Sequence, residues 1–328
     1  MTVPRPGDPI PGLYCPPVAE PDAALVAEVD ARIAAWVRKE DVCPPQWQEG
    51  LIGFAVGRAV ALQYPDHASI DHLMAAAELL AAENVVDDCY VEDFGGSPEG
   101  LGARLVIAQS ALDPAHLTGP YQGDWERGVQ GDEALRSYRT AVRDFEAIAT
   151  PAQADRFRHD MARLHLGYLA EATWKLDGRV PAAWEYLTMR QFNNFRPCLT
   201  ITDAVAGYEL AAELYALPEV QEAVALACNA TTIVNDLYSY TKELDMRHPH
   251  LNLPIVLAAG TGDHRGAYLG AVQVHNDLMR AFEDAAGRLR GRHHSLDRFL
   301  GGLTAWVLGN HHWHRTNTGR YTLPDFWS

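Results

Sequence analysis

From about residue 218 to residue 244 the chain reads as one long helix. The stretch ACNATTIVNDLYSYTKE is apolar or small for most of its length, then presents Asn235, Asp236, Ser239, Lys242 and Glu243. Asn235, Ser239 and Glu243 are spaced four apart, and each four-residue step turns about 40° past one revolution, so the three lie in a stripe down one face. Asn and Ser are weak helix formers, and a stripe of them in an apolar helix calls for a specific use. An amide oxygen, a hydroxyl and a carboxylate in a row form a hard-oxygen set of the kind that holds Mg²⁺ beside water or phosphate oxygens. The other reading is an amphipathic helix with an ordinary polar face.

Helical patterning dominates elsewhere too, and strand-like alternation is hardly visible. Helices are expected over about 21–39, 45–63, from a Ser69 cap into the acidic run at 87–93, and over 132–148, 152–177, 181–195, 199–215, 263–291 and 295–314. Residues 112–130, punctuated by Gly and Pro, read as a long loop, and Pro197 should end the helix before it. Residues 1–20 hold a cluster of prolines and read as a flexible arm; residues 21–328 read as one all-α domain.

The formal net charge of −16 argues against nucleic acid or an anionic membrane as partner, but not against an anionic substrate bridged by a cation. The five cysteines are scattered and form no Cys-x-x-Cys pair, so reduced thiols are expected rather than a disulfide framework or zinc finger. The Pro-rich N-terminus is unlike a signal peptide and no stretch reaches the length of a membrane span, so a soluble, cytoplasmic protein is expected.

Three further groups carry possible chemistry. Asp87, Asp88, Glu92 and Asp93 crowd four carboxylates together without a nearby Lys or Arg, directly after the apolar run LMAAAELLAAENVV. Such a cluster is either a solvated helix end or a cation site. Arg190, Asn193 and Asn194 share a helical face just before Pro197; a helix break there could aim backbone groups at a ligand, and a surface Arg at a plain helix stop is the alternative. Arg320-Tyr321 follows the helix ending GNHHWHRTNTGRY. Its histidines, His311, His312 and His314, point to different sides of a helix and are expected in core or loop rather than on zinc.

These four groups, in this order, resemble the bacterial class I terpene synthases over nearly the whole chain from about residue 20. The family's aspartate-rich motif matches Asp87-Asp88-Cys89-Tyr90-Val91-Glu92-Asp93, its metal triad Asn235, Ser239 and Glu243 with Lys242 alongside, its diphosphate-sensing arginine Arg190 with Asn193 and Asn194 after it, and its C-terminal pair Arg320-Tyr321. The stretches GLYCPP, VVDDCYVEDFGGSP, QFNNFRPCLT and NDLYSYTKE resemble a subfamily that turns 2-methylgeranyl diphosphate into C11 bornane-type terpenoids, ended by water capture or by proton loss. The sequence departs from the common pattern at Val91, where an acid is usual, and at Asn194, where many members carry Gly.

The resemblance implies the class I terpenoid synthase fold, a single helical bundle around a central cavity. It implies a trinuclear Mg²⁺ cluster on Asp87, Asn235, Ser239 and Glu243, with Asp88 and Glu92 as further candidates, and an allylic diphosphate held by Arg190, Lys242, Arg320 and Tyr321. Asp88 is expected to pair with Arg190. Phe192, Phe195, Trp306 and Trp313 are candidates for an aromatic wall that stabilises cations, although aromatics on helices more often pack in the core. A homodimer is expected on the same ground. A chain-elongating prenyltransferase should carry a second Asp-rich motif in place of the Asn/Ser/Glu stripe, and a non-catalytic helical scaffold should need no stripe at all.

Overall fold

The computed structural model describes residues 4–91, 97–244 and 250–327, and these contain no β-strand. The elements that position the site begin with α1 (Ala23–Glu40), capped by the Asp22 carboxylate, which accepts from the Ala24 N–H at 2.9 Å. The helix expected over 45–63 is two, α2 (Pro45–Ile52) and α3 (Val56–Gln63), parted where Ala55 takes a left-handed φ of 61°. That conformation costs a non-glycine residue about 1–2 kcal/mol; the turn it makes brings Phe54 to the wall of the central cavity.

Helix α4 (Ile70–Val86) starts at Ser69, whose Oγ accepts from the His72 N–H, and buries nearly its whole length. Leu73, Leu79, Leu80, Val85 and Val86 lie in the core, each contributing roughly 1.5–3 kcal/mol by burial. The helix does not fray into its acidic run. It widens into a π-helical turn over Asp87–Val91, a distortion that re-aims side chains and recurs at functional sites.

After α5 (Leu101–Leu112), the expected loop over 112–130 contains a helix, α6 (Pro120–Gly131). Pro120 fits its first turn, where no N–H is needed, and the indole of Trp125 donates to Ser110 Oγ at 2.9 Å, fastening α6 to α5. Then come α7 (Glu133–Glu146) and α8 (Pro151–Asp177), the latter opened by a Thr150–Gln153 capping box. The expected helix over 181–195 stops early, as α9 (Ala183–Met189), and 199–215 is broken into single turns, α10 (Arg196–Leu199), α11 (Thr202–Val205) and α12 (Ala212–Tyr215).

The long α13 (Pro218–Leu244) matches its expected bounds and packs against α15 (His264–Leu289) and α16 (His294–Thr316), with the short α14 (Leu253–Ala258) laid on α15. α16 approaches α3 closely because residue 309 is glycine: a Cβ there would stand 2.4 Å from the Leu62 carbonyl oxygen. Residues 4–20, expected as a flexible arm, lie on α15 and α16. Ile10 is buried, Asn276 accepts from the Tyr14 N–H and donates to the Gly12 carbonyl, both at 2.8 Å, and Glu20 bonds Arg58 and His312. Among the described residues no helix is long and apolar enough to cross a membrane.

Candidate active site

α3, α4 with its π turn, α8, α13 and α16 surround a cleft of about 1150 Å³ of empty space, part of it open to solvent. Asp87, Asp88, Arg190, Asn193, Asn194, Phe195, Asn235, Ser239, Lys242, Glu243, Trp313, Arg320 and Tyr321 all line it. The groups read separately from the sequence are thus brought to one cavity. Glu92 lies outside the described residues, as does Asp93.

The stripe on α13 has the chemistry of a cation site. Ser239 is 3 % exposed and its Oγ, beside the Glu243 carboxylate, makes no hydrogen bond of good geometry. Burial pushes the Glu243 carboxyl above its ordinary value; donation from Asn252 Nδ2 at 2.6 Å opposes this and the nearby Asp236 charge adds to it. Asn235 is oriented from behind. His314 Nδ1 faces the Asn310 carbonyl at 2.8 Å and so carries the proton, which leaves Nε2 to accept from Asn235 Nδ2 at 3.2 Å. Burial pushes the His314 imidazole down to about 4 and keeps it neutral in that role. The amide oxygen of Asn235 is left for a cation. Among the described residues, no three His, Cys, Asp or Glu side chains could hold a metal between them. A cation here would therefore be held by the mixed amide, hydroxyl and carboxylate set together with oxygens of a ligand, as suits a metal that arrives with a phosphate.

Arg190 closes one side of the cleft. Its guanidinium donates to Asp236 Oδ1 at 2.7 Å and to the Asn193 carbonyl at 3.1 Å. The expected pairing with Asp88 is not the one made: Asp236, on the turn of α13 that also carries Asn235, is nearer. Burial would depress the Arg190 charge, but Asp236, Tyr186, Glu171 and Glu243 more than offset this and raise its pKa. Asn193 and Asn194 gather around Arg190 by a turn, not by helical spacing; Asn194 Nδ2 donates to the Arg190 carbonyl at 2.9 Å. The turn rests against α8 at Gly167, where a Cβ would stand 2.4 Å from the Asn193 nitrogen.

Three residues to which the sequence assigned no role in the site hold it in place. Asp236, 1 % exposed, also accepts from Tyr186 OH at 2.8 Å and from the Leu253 N–H at 3.0 Å, so one carboxylate fixes Arg190, α9 and the start of α14. Glu171, on the cavity wall, accepts from Asn193 Nδ2 at 3.0 Å; burial would raise its pKa, but His250, Lys175 and Arg190 hold it down to about 2. His314 is the third. Its sequence neighbours go elsewhere: His311 meets Tyr238 OH at 3.3 Å and His312 meets Glu20.

At the C-terminal side, Tyr321 stacks on His314 with ring centres 5.3 Å apart, and the Arg320 guanidinium lies 4.7 Å from the centre of the Phe54 ring. Phe195 and Trp313 face the cavity. Trp306 stands behind Phe195, ring centres 5.5 Å apart, and Phe192 is turned away, under the Arg163 guanidinium. The chain turns between Met189 and Arg196, so residues 192 and 195 no longer share a helical face.

An all-α bundle whose cleft gathers arginines and a lysine with carboxylate, amide and hydroxyl oxygens is the architecture of an enzyme that ionises an allylic diphosphate through metal. Residues 78–281 match the family model described as terpene synthase family 2, C-terminal metal binding, and the chain belongs to the terpene synthase family. It is 57% identical over 327 residues to a 2-methylisoborneol synthase of Streptomyces griseus, covering 98% of this chain and 75% of that one. To the 2-methylisoborneol synthase of Saccharopolyspora erythraea it is 38% identical, covering 93% and 88%. The crystal structure of 2-methylisoborneol synthase from Streptomyces coelicolor A3(2) in complex with Mg²⁺ and 2-fluoroneryl diphosphate superposes with a TM-score of 0.94 at 55% identity, covering 97% of this chain and 99% of that one.

Proposed function

We propose that this enzyme ionises and cyclises 2-methylgeranyl diphosphate to 2-methylisoborneol and releases diphosphate. The observation that carries the reading is the convergence of the Asn235–Ser239–Glu243 stripe, Asp87 and the Arg190 and Arg320-Tyr321 groups on one cleft. The names of its relatives supply the product, diphosphate analogues in the related structures support an allylic diphosphate substrate, and the 2-methyl group is what the resemblance to the subfamily implies.

Asp87, Asn235, Ser239 and Glu243 would hold three Mg²⁺ ions, with Asp88 and Glu92 as further candidate ligands. Bound Mg²⁺ would supply Lewis acidity and charge neutralisation for the departing diphosphate. Arg190, Lys242, Arg320 and Tyr321 donate hydrogen bonds to diphosphate oxygens, and charge-assisted bonds of this kind are roughly twice as strong as neutral ones. Arg190 has to exchange part of its bonding to Asp236 for the ligand, which ties the position of α9 and α14 to diphosphate arrival. Phe54, Phe195 and Trp313 line the cavity, where aromatic rings would stabilise the developing cation and hold bulk water away from it. The reading extends to a cytoplasmic enzyme and a homodimer, the latter on the resemblance alone; light scattering of the purified chain checks it.

The test is incubation with Mg²⁺ and geranyl, 2-methylgeranyl or farnesyl diphosphate, with volatile products identified. The reading expects 2-methylisoborneol from the methylated substrate. Cyclisation of farnesyl diphosphate alone would overturn the substrate assignment.

A further inference from the structure

A cavity that shelters a carbocation is expected to be apolar and aromatic away from its metal end. Two amide side chains nevertheless form part of its wall: Gln63, the last residue of α3, and Asn310 on α16. They are 3 % and 2 % exposed. The bond between them, Gln63 Nε2 donating to Asn310 Oδ1, is 3.5 Å long, at the outer limit of a hydrogen bond. Gln63 Oε1 and Asn310 Nδ2 are buried without a hydrogen-bond partner. Exchanging oxygen and nitrogen in both amides leaves the same count, one acceptor and one donor open. A pair that served only to clamp α3 to α16 would satisfy its atoms mutually; one acceptor and one donor left open by two residues of the cavity wall are what a single water molecule, which needs two to four polar partners, would satisfy.

The position along α16 matters. His314, one turn and about 6 Å further on, bonds Asn235 of the metal stripe. Trp306, one turn back, packs on Phe195. The amides therefore sit between the diphosphate end and the aromatic interior. Gly309 permits this by letting α16 come down onto the Leu62 carbonyl.

We propose that Gln63 and Asn310 hold the water molecule that adds to the last carbocation. The inference rests on the reading of this chain as a synthase with an alcohol product. Gln63 Oε1 accepts one O–H of the water and Asn310 Nδ2 donates to one of its lone pairs. The second lone pair forms the C–O bond to the cationic carbon, and the oxonium so formed loses a proton to an oxygen of the diphosphate released in the first step. The two amides thus set the choice between alcohol and olefin.

The purified full chain, Gln63→Leu, Asn310→Leu and the volume-matched Gln63→Met are given Mg²⁺ and 2-methylgeranyl diphosphate in H₂¹⁸O. Volatile products are identified by mass and released diphosphate is counted. We expect ¹⁸O in the wild-type alcohol, an alcohol-to-olefin ratio at least tenfold lower in each variant, and diphosphate release that falls less than the alcohol does. An unchanged ratio overturns the proposal. So does loss of all turnover in variants that still bind inorganic diphosphate with Mg²⁺, and so does failure of all three to fold, since either makes the amides something other than a water site. If the wild type makes no bornane product, the underlying reading fails instead.

Discussion

Replacing Ser239 by alanine should stabilise the metal-free protein while weakening its response to metal. Ser239 Oγ is buried on α13 with no well-formed hydrogen bond. Its polar neighbour is the Glu243 carboxylate, poorly aligned with it; a buried hydroxyl so weakly satisfied costs up to about 1–3 kcal/mol, and alanine is the better helix former by up to about 0.7 kcal/mol. The sum predicts a gain of about 1–3.5 kcal/mol. At about 2.1 cal/mol/K of unfolding entropy per residue, a chain of 328 residues gains about 1.5 °C per kcal/mol, so the melting temperature in EDTA should rise by about 1.5–5 °C. A ligand at a hundred times its Kd adds about 2.7 kcal/mol, or about 4 °C, to the wild type. Scanning calorimetry in EDTA, and again with Mg²⁺ and inorganic diphosphate, reads both effects. The variant should start higher and gain much less. A lower melting temperature in EDTA with a full ligand shift would refute the reasoning, because the hydroxyl would then serve the fold and not the cation.

Asp236→Ala should destabilise the protein by about 3–5 kcal/mol, because it strands the buried Arg190 charge and unties α9 from α14; chemical denaturation checks this. His165 and His275 are pushed down by burial to about 4, below their unfolded value, so the unfolded chain binds more protons as the pH falls. Stability should be intact above about pH 6.5 and fall steadily towards pH 4, with a shallower loss in His165→Gln, read from urea midpoints. Phe195→Leu should alter the product distribution or lower turnover by tenfold or more, whereas Phe192→Leu, which faces away from the cavity, should change turnover less than twofold; product analysis with kinetics separates the two.

Much of the site was legible because its residue types are chemically odd where they occur. Asn and Ser deep in the apolar α13 announce a use that packing does not explain, and four-residue spacing is enough to put them on one face. Arg190 was identifiable too, but its partner was not: Asp236 lies 46 positions away in sequence, and only the fold, which lays α9 on α14 and α8 and turns Tyr186 and Arg190 towards α13, brings the two together. Glu171 and the amide pair Gln63 and Asn310 were equally invisible, since nothing local distinguishes a buried polar side chain from an exposed one. Helix α6 was hidden by Gly123, Gly128 and Gly131, which lower helix propensity, and by Pro120, which reads as a breaker until it is seen to open the helix; Trp125 docking on α5 adds the tertiary contact. Phe192 was a candidate for the aromatic wall through the resemblance, and the turn after Met189 carries it out of the cavity to lie under the Arg163 guanidinium.

The stripe on α13 is assigned to bind metal together with diphosphate. Titration of Mn²⁺, followed by its electron paramagnetic resonance with and without inorganic diphosphate, tests this without requiring turnover. Mn²⁺ should bind the wild type weakly alone and at least tenfold more tightly with diphosphate, and Glu243→Gln should lose that gain. Equal Mn²⁺ affinity in wild type and Glu243→Gln, with diphosphate present, would contradict it.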